Sequence, residues 1–268
     1  AALTGTAEKV YDGTTAATLT NANFHLFDLI DGDAVSVSGT SASYADKNVD
    51  SLITVTATGL SISGADAGNY TISGDASGNI GVITPRALTG SVTAANKVYD
   101  RTTAATIDAG VTLGNLIDGD TVSASHAGGE FSDWNVGDNK TVNLSGISLT
   151  GADAGNYSLA SSGIASNASI TPATLTLTSL GTVEKVYDGT ATAMVNAGNQ
   201  PTLQGGFAGD NVALTFTHSS AAYDNKNVGD NKTVTLSGLT LGGTDAGNYQ
   251  LASTSISGNV GKITPAAL

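Results

Sequence analysis

The 268-residue chain has no cysteine. Disulfides, thiolate metal centres and cysteine nucleophiles are therefore excluded. Charge is sparse: Asp, Glu, Lys and Arg make up 12% of the residues, about half the ~25% of an average globular protein. The ten basic residues are scattered among 23 acidic ones, for a net charge of −13. Such a chain offers no basic patch for a phosphate backbone, so nucleic acid is not an expected partner. Anionic lipid surfaces are disfavoured by the same sign of charge. Apolar runs fall short of the ~18–20 residues that cross a bilayer, so membrane insertion is not expected. No signal-peptide pattern opens the chain, and an export address is expected to lie outside it. Glu, Met and Arg are scarce, and aromatics are only 5%, with one tryptophan, Trp134. Exposed amphipathic helices have little to be built from.

Glycine, threonine, valine, serine and alanine fill the space. The 34 glycines are roughly 13% of the chain against a usual ~7%, and the β-branched residues suit a pleated, half-buried surface. Internal repetition is the strongest signal. A Lys-Val-Tyr-Asp box starts at Lys9, Lys97 and Lys185, in two steps of 88 residues. An Asp-Ala-Gly-Asn-Tyr box ends at Tyr70, Tyr157 and Tyr249, and Ile-Thr-Pro recurs at 83–85, 170–172 and 263–265. Between them come Asp-rich turns at Asp31–Asp33, Asp118–Asp120 and Gly209–Asp210. Three homologous domains follow, with expected limits 1–85, 86–172 and 173–268. The phase of the motifs suggests a fragment of a longer array.

Each unit of about 88 residues is close to the size of an immunoglobulin-like sandwich. Period-2 alternation marks strands, as at Val142 and Leu144, then Ile147 and Leu149. The parity slips by one at Gly146, and again between Ala57 and Leu60 and between Leu236 and Leu239. Glycine at such a slip indicates a bulge or a strand that changes sheet. Tyr70, Tyr157 and Tyr249, each behind a Gly- and Asn-bearing turn, are expected to be structural tyrosine corners, bonding back to the preceding loop. The segment 23–30 fits a helical turn or a buried strand, with an irregular or short helical loop favoured. Arg101 stands where the other units have Gly13 and Gly189, which argues against an obligatory positive φ at that position. Proline after each last strand removes a donor and stops further pairing. The fold expected is all-β: three tandem immunoglobulin-like β-sandwich domains in an elongated rod.

The set Lys-Val-Tyr-Asp-Gly-Thr, Asp-Ala-Gly-Asn-Tyr and Ile-Thr-Pro resembles the YDG-type repeats of bacterial haemagglutinin-like and filamentous surface adhesins. The resemblance covers all three units. It implies an extracellular, cell-surface protein with a stalk or adhesion role, and it brings no catalytic residues to transfer.

Candidate chemistry is limited. His25, His126 and His218 occupy different places in their units, so no shared catalytic role is expected. Asp12, Asp31, Asp33, Asp118 and Asp120 are calcium candidates, since that ion takes several oxygen ligands, although Asp-Gly-Asp is above all a turn sequence. A Lys–Asn isopeptide crosslink could join Lys9, Lys97 or Lys185 to Asn69, Asn156 or Asn248 beside Asp66, Asp153 or Asp245. Trp134, in place of Lys47 and Lys226, could contact a ligand. The function expected is a non-enzymatic spacer in an adhesin, monomeric, with neighbouring repeats as partners and no cofactor. The alternative is a carbohydrate- or surface-binding module that meets cell-surface or matrix glycans directly.

Overall fold

A computed structural model describes residues 1–160 and 164–268. The described chain is all-β, with short 3-10 turns between strands. By contact it divides into two compact bodies: residues 1–92, 109–128 and 144–165, and residues 93–108, 129–143 and 166–268. The division passes through the middle repeat.

In the first body the larger sheet runs Ala7–Val10, Ala76–Thr84, Asp50–Thr58, Ser41–Tyr44. Its short first strand lies parallel to its last, with Ala7 opposite Gly81 and Val10 opposite Thr84. The long central strand alternates, turning Ile53, Val55 and Ala57 into the core and Thr54 and Thr56 away from it. At Gly59 the backbone takes φ +62°, and the next strand, Ser61–Ser63, pairs with Ser36–Ser38 in another sheet. Gly146 (φ +60°) and Gly238 (φ +71°) occupy the same place. The parity slip is therefore a strand leaving one sheet for another, at a residue without the Cβ that disfavours that conformation.

Segment 23–30 is mainly an irregular loop, the favoured expectation, and its one short strand is not buried. A 3-10 turn, Asn21–Asn23, precedes a two-residue strand, Phe24–His25, paired with Ala2–Leu3. Phe27, Leu29 and Ile30 then stand exposed.

Thr84 ends its strand at Pro85, and Arg86–Ser91 starts at once in a different sheet. There it lies antiparallel to Thr112–Gly114 and parallel to Tyr157–Leu159. One continuous core serves this body. It joins Tyr11, Tyr44, Val55 and Ile83 from the first repeat to Leu88 and Tyr157 from the second.

The pattern repeats along the chain. The middle repeat, through which the division passes, has the sheet Lys97–Val98, Ala165–Thr171, Gly137–Ser145, Gly128–Phe131, Ala104–Ala105; the third repeat, in the second body, has Val183–Val186, Ser255–Thr264, Gly229–Ser237, Ala221–Tyr223, Thr192–Ala193. Ala173–Leu177 follows Pro172 and pairs with Leu203–Gln204 and, in parallel, with Tyr249–Leu251. One core cluster unites Tyr99, Phe131, Val142 and Ile170 with Leu175 and Tyr249, from consecutive repeats. Another lies inside the third repeat around Val183, Val234, Leu236 and Ile263. Each fully buried aliphatic side chain contributes about 1.5–3 kcal/mol, so a core shared across a repeat boundary couples the repeats it joins.

Candidate functional site

The Lys-Val-Tyr-Asp box folds into a self-contained turn. In the first repeat Asp12 Oδ1 accepts from Lys9 Nζ (2.7 Å), the Thr14 amide (2.9 Å) and the Thr14 hydroxyl (2.9 Å). Lys9 also donates to the Thr14 carbonyl and lies over the Tyr44 ring. Lys97 with Asp100, Thr102 and Phe131 reproduces the arrangement, as does Lys185 with Asp188, Thr190 and Tyr223. Between Asp and Thr the backbone turns left-handed: Gly13 has φ +76°, Arg101 +63° and Gly189 +78°. The expectation drawn from Arg101 is corrected here. The turn requires positive φ in every copy, and Arg101 adopts it despite a steric cost on the order of 1–2 kcal/mol.

What this turn presents is its tyrosine. The Tyr11 amide donates to the Thr84 carbonyl, the Tyr99 amide to Thr171 and the Tyr187 amide to Thr264. This pins each tyrosine beside the Ile-Thr-Pro end of its own repeat. From there the Tyr11 hydroxyl reaches Asp120 of the next repeat, donating to Oδ2 at 2.8 Å. The Tyr157 hydroxyl donates to the same oxygen at 2.5 Å and accepts from the Ile117 amide. The two rings meet edge to face, centroids 5.4 Å apart, a favoured aromatic geometry. Lys47 Nζ stands 3.9 Å from the other carboxylate oxygen.

The second body holds a second copy of this clasp. Tyr99 donates to Asp210 Oδ2 at 2.8 Å and Tyr249 to the same atom at 2.6 Å. The rings are again 5.4 Å apart, and Phe207 adds an edge contact to Tyr99. Arg101 Nε sits 3.0 Å from Asp210 Oδ1, and its guanidinium donates to the Ala208 carbonyl. These bonds offset the strain at Arg101.

An asparagine clamp accompanies each clasp. Asn156 accepts from the Val49 amide (2.8 Å) and donates to Asn48 (2.9 Å) in the preceding repeat. Asn248 does the same with Val136 (2.9 Å) and Asn135 (3.1 Å). The Asp of the same box folds its own loop: Asp153 accepts from the Thr121 amide and Asp245 from the Asn211 amide.

The electrostatics follow from this geometry. Burial pushes the Asp120 carboxyl up, but the hydroxyls of Tyr157 and Tyr11 and the charge of Lys47 outweigh it and hold the group below the ordinary carboxylate value. For Asp210 the opposing donors are Tyr249, Tyr99 and Arg101, with the same net lowering. Burial first, then the bond to the carboxylate, raises the tyrosines; Tyr99 is pushed up to about 12, and Tyr11, Tyr157 and Tyr249 move the same way.

The sequence-derived candidates fall as follows. The tyrosine-corner expectation is corrected: among the described residues the hydroxyls of Tyr70, Tyr157 and Tyr249 bond to turns far upstream, at Asp33, Asp120 and Asp210, and not to the loop just before each tyrosine, because the Asp of the upstream turn offers a stronger, charged acceptor. Of the calcium candidates, Asp12 is engaged by Lys9 and Thr14, Asp33 and Asp120 accept tyrosine hydroxyls, and Asp31 and Asp118 are exposed. Among the described residues no group of three or more His, Asp or Glu is placed to hold a metal ion. For the crosslink, Lys9, Lys97 and Lys185 spend their amino groups on Asp and Thr of their own turns, while Asn156 and Asn248 face the preceding repeat. Their chemistry is that of a turn and a clamp. Trp134 is 47% exposed.

Tyr11, Tyr99 and the role of Asp210 were not anticipated from sequence. The available signal was that only the second carboxylate of the Asp-Gly-Asp turn persists in all three units, as Asp33, Asp120 and Asp210.

These features define a class: tandem all-β repeats in which the repeated box residues of one copy lock onto the next. The chain belongs to the YDG domain family, which matches it three times, at residues 1–78, 84–164 and 171–256. No curated protein matches it in sequence. Among solved structures it is similar to Drosophila N-cadherin EC1-3, with 9% identity, 98% of each chain covered and a TM-score of 0.23. It is also similar to the I9–I11 tandem from titin, with 10% identity, 98% of this chain and 99% of that one covered and a TM-score of 0.21. At such scores neither likeness bears on fold or function.

Proposed function

We propose that the chain is a stalk segment of a secreted bacterial cell-surface adhesin, a non-enzymatic spacer that carries a binding region away from the cell. One observation supports this most: the tyrosine–carboxylate–tyrosine clasp occurs at both repeat boundaries, with its asparagine clamp. Separating two repeats would expose a buried tyrosine and strip donors from a buried carboxylate. Leaving such a group unpaired is costly. A protein under tension benefits from that arrangement. The parallel pairing of first and last strands favours an immunoglobulin-like sandwich for each repeat.

The test is mechanical and chemical together. Pulling the chain by its ends should give unfolding forces that drop in Asp120→Ala and Asp210→Ala, while glycan arrays stay blank. Unchanged forces in both variants would count against the spacer.

The exposure of Trp134, the only tryptophan, favours a second reading as a glycan-binding module. Array signals lost on Trp134→Ala would establish it.

A further inference from the structure

Each repeat ends at Ile-Thr-Pro, and in sequence the proline is the natural place to divide the chain. Packing divides it elsewhere. Ile83 and Leu88 stand on either side of Pro85, 1% and 0% exposed, and both belong to the core around Tyr11, Tyr44 and Val55. Ile170 and Leu175 stand on either side of Pro172, equally buried, and both belong to the core around Tyr99, Phe131 and Val142. Pro85 and Pro172 therefore each lie inside a compact body.

The middle repeat is the one that divides. Its first sheet, Arg86–Ser91 with Thr112–Gly114 and Tyr157–Leu159, belongs wholly to the first body. Leu88 and Tyr157 are core members there, and Leu113, Ile117 and Leu159 pack against the same core. From its second sheet, Phe131, Val142 and Ile170 join Leu175 and Tyr249 of the third repeat. Among the described residues these two cores have no member in common. The polar contacts sort the same way. Tyr11, Asp120 and Tyr157, with Asn48 and Asn156, all lie in the first body; Tyr99, Asp210 and Tyr249, with Asn135 and Asn248, all lie in the second. The chain passes from one body to the other at Gly128–Gly129, where the other repeats have Ser41–Ala42 and Ser220–Ala221. Glycine inside a strand weakens it.

We propose that the unit that folds and opens as one is not the repeat but the pair of sheets that meet across a repeat boundary. Pulling the first sheet of the middle repeat away would bring Tyr11 and Ile83 into water, so that sheet opens together with the first repeat. The second sheet of the middle repeat opens instead with Ala173–Leu177 and Tyr249–Leu251 of the third. The inference does not depend on the stalk reading. In a chain under load, each unit lost takes one whole boundary with it, clasp and clamp included, and leaves the other boundary closed.

Hydrogen exchange of the full chain, read by mass spectrometry on peptides, tests this. Leu88→Ala truncates a side chain of the middle repeat. It should speed exchange in strand Asp50–Thr58 of the first repeat by about 25-fold or more. Residues 137–143, in the middle repeat itself, should stay within about twofold of the unaltered chain. Leu175→Ala, a change in the third repeat, should do the reverse, speeding 137–143 and sparing 50–58. Should an alanine variant fail to fold, Leu88→Val and Leu175→Val should give the same pattern with smaller factors, since they remove less of the side chain. Equal acceleration of both segments in the Leu88 variant would mean that the chain opens as a whole. Acceleration of 137–143 alone would make the repeat the unit. Either result, or unaltered exchange at 50–58, overturns the proposal.

Discussion

Asp210 accepts two tyrosine hydroxyls on one oxygen, Tyr249 from its own repeat at 2.6 Å and Tyr99 from the repeat before at 2.8 Å. The second bond spans 111 residues of sequence. Because Asp210 is nearly buried, Tyr99→Phe removes a charge-assisted bond that water cannot replace. The cost should be roughly 1.5–3 kcal/mol. Trp134 lies in the same compact body, so its fluorescence during urea unfolding reads the loss directly. Tyr187→Phe, at the exposed copy of the same position, should shift that transition by less than about 0.5 kcal/mol. Equal effects of the two changes would mean that the clasp contributes nothing.

The clamp makes a parallel prediction. Asn248 caps the Val136 amide, and Asn248→Ala should leave that donor without its partner at a cost of about 1–3 kcal/mol. Hydrogen exchange at the Val136 amide should accelerate sharply. Asn69→Ala, in the copy whose side chain is exposed, should leave monomer stability within about 0.5 kcal/mol of the starting chain. Unaltered protection at Val136 would rule the clamp out.

Much of the fold was legible because it is local. Alternation placed the strands around Val142 and Leu144, and the parity slip at Gly146 marked the change of sheet. Proline after Thr84, Thr171 and Thr264 marked the strand ends. Contacts between copies were not legible, for a physical reason. Repetition shows that Tyr11, Tyr99 and Tyr187 are equivalent in sequence, but Tyr11 and Tyr99 are buried against Asp120 and Asp210 whereas Tyr187 is 38% exposed. Identical boxes therefore have unlike surroundings. Nor could spacing reveal that Lys9 would be held by Asp12, three residues on, and not by the distant Asn69. The short bond in the turn costs far less chain entropy to close.

Arg101 offers a separate test, since strain and attraction oppose each other at one residue. Arg101→Ala keeps the left-handed backbone on a residue with a Cβ and removes the ion pair with Asp210. It should destabilise by about 1–2 kcal/mol. Arg101→Gly, the residue found in the other two repeats, loses the same ion pair but relieves the backbone. It should lie between Arg101→Ala and the unaltered chain. Urea midpoints read through Trp134 check the order, and Gly falling below Ala would refute it.

The clasp also sets how stability depends on pH. Asp120 and Asp210 titrate below the ordinary value of 3.8 when folded. Between those values the unfolded chain binds more protons than the folded one, so their contribution is complete above about pH 4 and disappears as pH falls through the folded value. Tyr99 has the opposite sign. Its folded value is raised from 10.0 to about 12, so the unfolded chain loses its proton first. The stabilisation is complete below pH 10 and declines as pH rises towards 12. Urea midpoints followed by Trp134 emission should therefore form a plateau with two falling limbs. Asp210→Asn should weaken the acid limb and also the alkaline one, because Asp210 helps to raise Tyr99; Tyr99→Phe should weaken the alkaline limb and, by removing one donor to Asp210, part of the acid limb. If neither substitution alters its own limb, the carboxylate and the phenol do not share the bond on which the joint depends.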